Sequence, residues 1–423
     1  MYKIFIERWK ESLPWVMVSV AAAFYCYESL LRVAPSVMRV EIMHNYGIDA
    51  AAFSSLIAFY YYIYAPMQLF VGVLMDRYGP KILLTVAALT CGIGTYGFVA
   101  THSLFIGEFG RLLIGFGSSF AFVGVLKIAS LWLPEDKFAF VSGLTMALGM
   151  LGGLLGDTFV TSLITMEGWQ VASIHASFLG FVLSIMVFAL VKDKNHAAVD
   201  DTDVEISSFS EVLEGLWKLL KSPQSWIIGL IGCLMWFPIA IYAEAWGVGH
   251  LQDALGYGRE DASHAVGLIF LGMACGGPSV GLLSDYIKQR RVIIFVGALL
   301  TFVVSSILIY APSLSHNQVF TLSFLFGLFN SPQFLVFPMA KEISGKHAVG
   351  SALAVTNMIV MTSGIIQPIT GYLLSYMGAS SMLHGAPVYG LAAYKVALSI
   401  IPLSLLITMV LVVFTKETYK PKS

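Results

Sequence analysis

The sequence predicts an all-α membrane protein, with twelve transmembrane helices in two six-helix bundles related by pseudo-symmetry. Three observations lead to this fold class: an apolar composition, twelve segments long enough to cross a bilayer, and a loop motif that recurs in the second half. Of the 423 residues, 57% are hydrophobic and 12% are charged, whereas soluble domains have about a quarter charged residues. A soluble fold of this length could not bury so much apolar surface, so lipid must cover part of it.

The twelve spans follow from length and hydrophobicity. A helix needs about 20 apolar residues to cross the hydrocarbon core, and unpaired backbone groups are not tolerated in lipid. The predicted spans are 13–35, 52–75, 82–101, 104–132, 139–163, 172–191, 224–247, 263–284, 292–311, 318–339, 349–375 and 390–414. A polar stretch separates spans 6 and 7. We therefore predict an N-terminal bundle over 1–191, a cytoplasmic linker over 192–223 and a C-terminal bundle over 224–423.

The basic residues predict the orientation of the chain in the membrane. If both termini are cytoplasmic, 18 of the 24 lysines and arginines fall in cytoplasmic segments, and two, Arg39 and Arg259, fall outside. Such a bias sets the topology of membrane proteins. Short loops and the lack of an Asn-x-Ser/Thr sequon favour a bacterial inner membrane.

Several function classes are disfavoured by the same sequence. A net charge of -1 gives no reason to expect nucleic-acid binding. The four cysteines lie in apolar runs and have no metal-ligand spacing. We find no nucleophile–base signature and no nucleotide loop. The sequence therefore predicts no enzyme activity, no metal and no cofactor, and we expect a monomer in lipid.

A charged loop motif after span 2 has a counterpart after span 8. The first reads Gly-Val-Leu-Met-Asp-Arg-Tyr-Gly-Pro-Lys over 72–81, and the second repeats the Gly-x-x-x-Asp spacing over 281–285. Asp76 is an anion at the predicted cytoplasmic face, where it can accept from a helix N-terminus in the opposite half. Internal six-helix repeats of this kind occur in transporters with a binding site between the halves. The predicted latch comprises Gly72, Asp76, Arg77, Gly79, Lys81 and Asp285.

These residues resemble the major facilitator superfamily. The loop over 72–81 matches the best-known motif of that family, and Arg111-x-x-x-Gly115-x-Gly117 in span 4 matches a second one. The resemblance implies that the chain moves a small solute by alternating access. It also implies that the latch joins the halves while the cavity is open to the outside. A purely topogenic role for Arg77 and Lys81 stays open as an alternative.

Ionisable residues inside the spans are costly in lipid and therefore point to function. Glu28 and Arg32 are four residues apart in span 1, which allows an ion pair; a purely structural pair is the alternative. The three carboxylates predicted to carry protons are Glu28, Asp157 and Glu244. The family resemblance assigns Arg111 to substrate binding or proton coupling. Lys127, followed by Trp132 and Pro134, resembles organic-anion and organophosphate symporters, although it could instead extend to the interface.

Aromatic and amide side chains complete a predicted pocket between the halves. Tyr61, Tyr64 and Gln68 share one face of span 2, and the family resemblance places spans 1, 4, 7 and 10 around the cavity. Each polar residue could instead bridge helices structurally. The predicted substrate-binding residues are Tyr25, Arg32, Tyr61, Tyr64, Gln68, Arg111, Lys127, Trp236, Tyr242, Asn330, Gln333 and Asn357.

The mixture of charges predicts a polar substrate. Both signs suit a zwitterion, so the sequence favours proton-coupled uptake of amino acids or short peptides. The segment from Phe24 to Pro35 also resembles bacterial relatives of a lysosomal dipeptide transporter. However, the Glu-x-x-Glu-Arg motif typical of proton-coupled peptide transporters is absent from span 1. The alternatives are a carboxylate or other organic-anion symporter, a drug or metabolite efflux antiporter, and a receptor or channel that does not transport by alternating access.

Overall fold

The computed structural model describes residues 2–193, 219, 221–311, 313–344 and 349–419, with side chains from residue 12 onward except at 135 and 139. Most of the predicted linker therefore lies outside the described residues. Within the described part, twelve helices are long and apolar enough to cross a membrane. The twelve predicted spans are confirmed.

The spans are numbered in chain order. They run Ser12–Ser36, Ala50–Tyr78, Pro80–Val99, Leu104–Trp132, Asp136–Glu167, Trp169–Leu190, Pro223–Ala254, Arg259–Ile287, Arg290–Tyr310, His316–Ile343, Val349–Met377 and Leu391–Phe414. Spans 1–6 form the N-terminal half and spans 7–12 the C-terminal half. An even number of spans puts both chain ends on one face; we call the opposite face the far side.

Three spans of the C-terminal half are interrupted close to a proline. Span 7 is α-helical over Pro223–Pro238 and then turns π-helical over Ile239–Trp246. Span 10 contains a 3₁₀ segment, Ser331–Leu335, and span 11 restarts as Gln367–Met377. Proline lacks a backbone N–H and removes one helical hydrogen bond. Single π-helical turns are frequent at functional sites.

Two small elements cover the far side. A short helix, Arg39–Tyr46, joins spans 1 and 2. Between spans 11 and 12, the strands Ser381–Leu383 (β1) and Ala386–Val388 (β2) form an antiparallel hairpin, with Leu383 opposite Ala386.

The two halves meet where span 2 packs on span 11 and where span 5 packs on span 8. Glycines allow the close approach: a Cβ on Gly371 would collide with the Ala50 carbonyl, and one on Gly364 with the Tyr61 ring. Small residues serve this purpose at helix crossings in membranes. Most of the polar contacts seen between the halves lie at mid-span or nearer the far side, and the Asn357–Gln68 hydrogen bond lies nearer the termini. The far side is closed in this structure.

Candidate functional site

A buried group of charged and aromatic side chains lies at mid-span between the halves. We call it the central cluster; its members are Glu28, Arg32, Tyr60, Tyr61, Arg111, Trp236 and Glu244. Arg32 and Glu244 form its core, with 3.2 Å between Arg32 Nε and Glu244 Oε1, and their side chains are only 4% and 1% exposed. Because Arg32 is in span 1 and Glu244 in span 7, this ion pair joins the two halves.

The outer part of the Arg32 guanidinium is not engaged by the protein. Its Nε faces Glu244 Oε1 at ion-pair distance but is buried without a hydrogen-bond partner, and no hydrogen bond from its terminal nitrogens is seen among the described residues. Its Cζ atom lies 5.9 Å from the centroid of the Trp236 ring. The indole Nε1 of Trp236 is also buried without a partner. Unused donors of Arg32 and Trp236 therefore meet at one corner of the cluster, and a planar guanidinium suits a carboxylate or sulfonate.

Glu28 does not pair with Arg32, although their helical spacing allows it. Instead, Tyr60 Oη donates to Glu28 Oε2 at 3.0 Å and Ser29 Oγ donates to Oε1 at 3.1 Å. Arg32 instead pairs with Glu244, a carboxylate of the other half of the protein. Tyr60 was not among the predicted site residues; its helical spacing of four from Tyr64 is the signal that could have identified it.

Glu244 is a buried carboxylate in the interrupted part of span 7. It is 2% exposed and also accepts a hydrogen bond from Tyr61 Oη. The π-helical segment of span 7 positions it toward spans 1 and 2. A carboxylate at this position can respond to any anion that approaches Arg32.

Arg111, in span 4, donates hydrogen bonds to spans 1 and 2. Its Nη1 donates to the Leu31 carbonyl at 3.1 Å and its Nη2 to the Ile57 carbonyl at 3.3 Å. The Tyr60 ring lies 5.2 Å from its Cζ atom. These partners give Arg111 a positioning role for spans 1 and 2, beside the substrate or proton role that the family resemblance implies.

Lys127 lies apart from the central cluster. Its Nζ atom is 2.6 Å from Asp76 Oδ1, and both side chains are partly exposed. The Lys127 side chain extends toward the face of the protein that carries the termini. Asp76 lies on that face, close to the end of span 2. The structure thus places Lys127 with the predicted latch and does not place it with the predicted substrate residues.

The latch residues are engaged within their own halves. Asp76 pairs with Lys127, and Asp285 lies 3.0 Å from Arg290 Nη1. Gly79 has φ of +77°, which favours glycine. Arg77 packs on Tyr78, Lys81 lies over the Phe188 ring, and Gly72 has open space around it. Because the far side is closed here, contact of the latch with the opposite half stays a prediction for the other conformation.

Four other predicted residues surround the cluster. Tyr64 stacks on Tyr60 with 5.2 Å between ring centroids, and Tyr25 packs on Phe122 at 5.4 Å. Asn357 Nδ2 donates to Gln68 Oε1 across the halves at 2.9 Å. These contacts place Tyr25, Tyr64, Gln68 and Asn357 around the lower edge of the cluster, toward the termini.

The remaining predicted residues differ in their surroundings. Asn330 Nδ2 donates to the Met235 carbonyl at 3.0 Å, next to Trp236. Gln333 is 1% exposed, and both of its amide atoms lack a partner. Tyr242 Oη lies 3.0 Å from His250 Nδ1, nearer the far side. Among the described residues, the Gln333 amide therefore has no hydrogen-bond partner, whereas the Tyr242 hydroxyl is hydrogen-bonded to His250.

Asp157 is separate from the cluster. It is fully buried in span 5, and one of its oxygens, Oδ1, accepts from Ser36 Oγ at 3.0 Å. The other oxygen, Oδ2, has no partner among the described residues.

A layer of ion pairs on the far side was not predicted. Arg39 Nη2 donates to both oxygens of Asp253 at 2.8 Å, and Tyr394 Oη donates to the same carboxylate at 2.9 Å. Arg259 also pairs with Glu41 at 2.5 Å. Sequence placed Arg39 and Arg259 in outer loops, but no local pattern could indicate partners more than 200 residues away.

We find neither a metal site nor a cavity that replaces the central cluster as the candidate. Within the described residues, no group of three or more His, Cys, Asp or Glu side chains could hold a metal ion. A cavity of about 850 Å³ opens on the far side, between the short helix and the hairpin, and is lined by His44, His102 and His384 among others. None of the central-cluster residues lines it.

The motif geometry and the twelve-span fold agree with a comparison to protein families. Residues 17–368 match the model of the Major Facilitator Superfamily. The chain belongs to this superfamily. It is therefore a secondary transporter of the major facilitator type, and its relatives are named transporters.

Two relatives of this superfamily member share most of its length. It is 24% identical over 386 residues to a protein of Cupriavidus necator described as a probable sulfoacetate transporter, covering 86% of this chain and 88% of that one. It is 23% identical over 398 residues to a hexuronate transporter of Bacillus subtilis, covering 88% and 90%.

Solved structures share the fold at lower identity. A bacterial homolog of the human lysosomal transporter Spinster superposes with a TM-score of 0.71 at 14% identity, over 95% of both chains. The nucleoside transporter NupG superposes with a TM-score of 0.74 at 13% identity, over 94% of this chain and 99% of that one.

Proposed function

We propose that this transporter carries small organic anions, with a carboxylate or sulfonate group bound by Arg32. The observation that carries the proposal is the buried Arg32 guanidinium, which forms an ion pair with Glu244 but for which no hydrogen bond is seen among the described residues. Bidentate hydrogen bonding from a guanidinium fits the planar geometry of a carboxylate. The named relatives for sulfoacetate and hexuronate support the same substrate class.

The competing prediction, uptake of amino acids or short peptides, has less support. A zwitterion needs a carboxylate for its ammonium group as well as a cation for its carboxylate. Glu28 is occupied by Tyr60 and Ser29, and Glu244 by Arg32 and Tyr61. No relative named above is a peptide or amino-acid transporter, so we place the organic-anion alternative first.

The geometry also suggests how an anion could affect the two halves. Arg32 in span 1 and Glu244 in span 7 hold each other across the interface. A substrate carboxylate on the free side of Arg32 would compete with Glu244 for the same charge. Loss of the Glu244 charge would remove the competition, so proton-coupled uptake, as predicted from the sequence, is the mode of transport that we propose.

Binding of defined anions to purified protein tests the proposal. We expect D-galacturonate or sulfoacetate to bind, and Arg32→Lys to weaken binding at least about tenfold, because lysine keeps the charge and loses the fork. Arg259→Lys is the matched control, since Arg259 also pairs across the halves but lies on the far side. Titration calorimetry measures both variants.

The opposite results are equally informative. Unchanged affinity in Arg32→Lys would remove Arg32 as the anion site. Binding of dipeptides or amino acids in place of both anions would restore the zwitterion prediction.

A further inference from the structure

Asp157 is a buried carboxyl group at the junction of the two halves, and the anion site does not use it. It lies in span 5 of the N-terminal half. A Cβ atom on Gly267 of span 8, in the C-terminal half, would be 3.6 Å from the Asp157 Cβ. Ser36, at the far-side end of span 1, donates to Asp157 Oδ1 at 3.0 Å. Three elements therefore enclose this carboxyl group.

The surroundings of Asp157 suit a neutral acid. Among the described residues, no lysine, arginine or histidine is within ion-pair distance of it. It receives one hydrogen bond, and its buried Oδ2 receives none. An ionised carboxylate buried in this way, without a counter-charge, is strongly disfavoured.

The charged groups near Asp157 do not change this conclusion. Glu244 of span 7 has the same sign of charge as an ionised Asp157, so it repels that charge and does not stabilise it. Arg32 and Arg39 flank the Ser36 turn in the sequence, but they are held by Glu244 and Asp253. His264 of span 8 is exposed and points away.

We propose that Asp157 is a proton-binding site, and that its protonation permits the far side to close. Closure packs span 8 on span 5 and seals the carboxyl group between Ser36 and Gly267. When the halves separate on the far side, water reaches the site and can accept the proton. Each closure from the ionised state therefore takes one proton from the far-side solution. This inference rests on alternating access and not on the identity of the substrate.

The test measures far-side opening at different pH values, in protein without substrate. Ser54 is buried on the far-side part of span 2, where its Oγ accepts from Trp246 of the other half at 3.0 Å. In a Ser54→Cys variant, a membrane-impermeant maleimide can react only when the far side opens. The labelling rate of the parent protein, with its four free native cysteines, is subtracted.

Because the thiolate is the form that reacts, the Ser54→Cys rate is divided at each pH by the rate of a small free thiol with the same maleimide. We expect this normalised rate to rise about tenfold or more from pH 5 to pH 8, because ionised Asp157 favours the open far side. Adding Asp157→Asn, which has the same size and no charge, should keep the normalised rate low at every pH. Asp157→Glu should restore the dependence on pH. Ser162→Ala, on the exposed face of the same span, is the control and should behave as the parent.

Other ionisable side chains lie on the far side, including His44, His102 and His384. They are unchanged in Asp157→Asn, so only the difference between the two proteins reports on Asp157. A normalised rate independent of pH in Ser54→Cys, or the same pH dependence of the normalised rate after Asp157→Asn, overturns the proposal. Because no substrate is present, either result leaves the organic-anion assignment unaffected.

Discussion

In the proposed function, Arg32 is the residue at which substrate binding and closure compete. Its Nε faces Glu244, while no hydrogen bond from its terminal nitrogens is seen among the described residues. Breaking a buried ion pair by removing one partner costs about 3–5 kcal/mol, because the remaining charge is left uncompensated. A bound anion could replace the missing charge. In the proposed function, Glu244 therefore acts as an internal occupant of the anion site at Arg32.

Replacing Glu244 tests this competition. We expect Glu244→Gln to lower the thermal stability of the anion-free protein and to bind D-galacturonate or sulfoacetate about tenfold more tightly, since the internal competitor is gone. Added anion should recover most of the lost stability. Thermal unfolding with and without anion provides both measurements.

Glu28→Gln is the matched control for this experiment. Glu28 is equally buried, but its partners are the hydroxyl groups of Tyr60 and Ser29 and not a cation. Its substitution should leave anion affinity within about threefold of the original. Equal effects of both substitutions on affinity would show that Glu244 does not compete with the substrate.

At the scale of elements, the contact between spans 2 and 11 controls how closely the halves approach. Gly371 lies against the Ala50 carbonyl on the far side, whereas a Cβ on Gly350, near the other end of span 11, would have no atom of the described residues within 4 Å. The same helix thus offers one glycine in a tight contact and one in open space.

We expect Gly371→Ala to destabilise the closed far side by about 1–3 kcal/mol, because overpacking forces the backbones apart. The Ser54→Cys labelling rate should rise about tenfold or more. Gly350→Ala should leave this rate unchanged, and it controls for the general effect of alanine in the helix. A normal rate in Gly371→Ala would mean that the two spans do not form the closing contact.

For the whole molecule, the far side is closed by two ion pairs that differ in burial. Asp253 is 4% exposed and accepts three hydrogen bonds from Arg39 and Tyr394. The side chains of Arg259 and Glu41 are 27% and 21% exposed. Water can replace the lost partner in the second pair much more easily than in the first.

Neutralising each pair should therefore have unequal effects on the conformation. Asp253→Asn leaves Arg39 uncompensated, so we expect a cost of about 3–5 kcal/mol to the closed far side and predominantly open protein. Glu41→Gln should cost about 1 kcal/mol or less. Labelling of Ser54→Cys in each background measures the difference, and equal rates would contradict a dominant role for the buried pair.

The sequence by itself determined the number of spans, the two-half organisation and the cost of each intramembrane charge. These properties depend on local composition and length, because lipid imposes the same requirement on every span. It also identified Arg32, Glu244 and Asp157 individually. The predicted cytoplasmic orientation of the termini rests on the positions of basic residues and stays a prediction.

Only the tertiary structure decided which of these residues belong together. Helical spacing allows Glu28 to pair with Arg32. Because span 7 packs on span 1, however, Arg32 pairs with Glu244 instead. Lys127 forms an ion pair with Asp76, and Arg39 forms one with Asp253 across the interface. The physical reason is that periodicity fixes the face of a helix on which a side chain lies, whereas its partner depends on how distant helices pack and on the conformation the protein adopts.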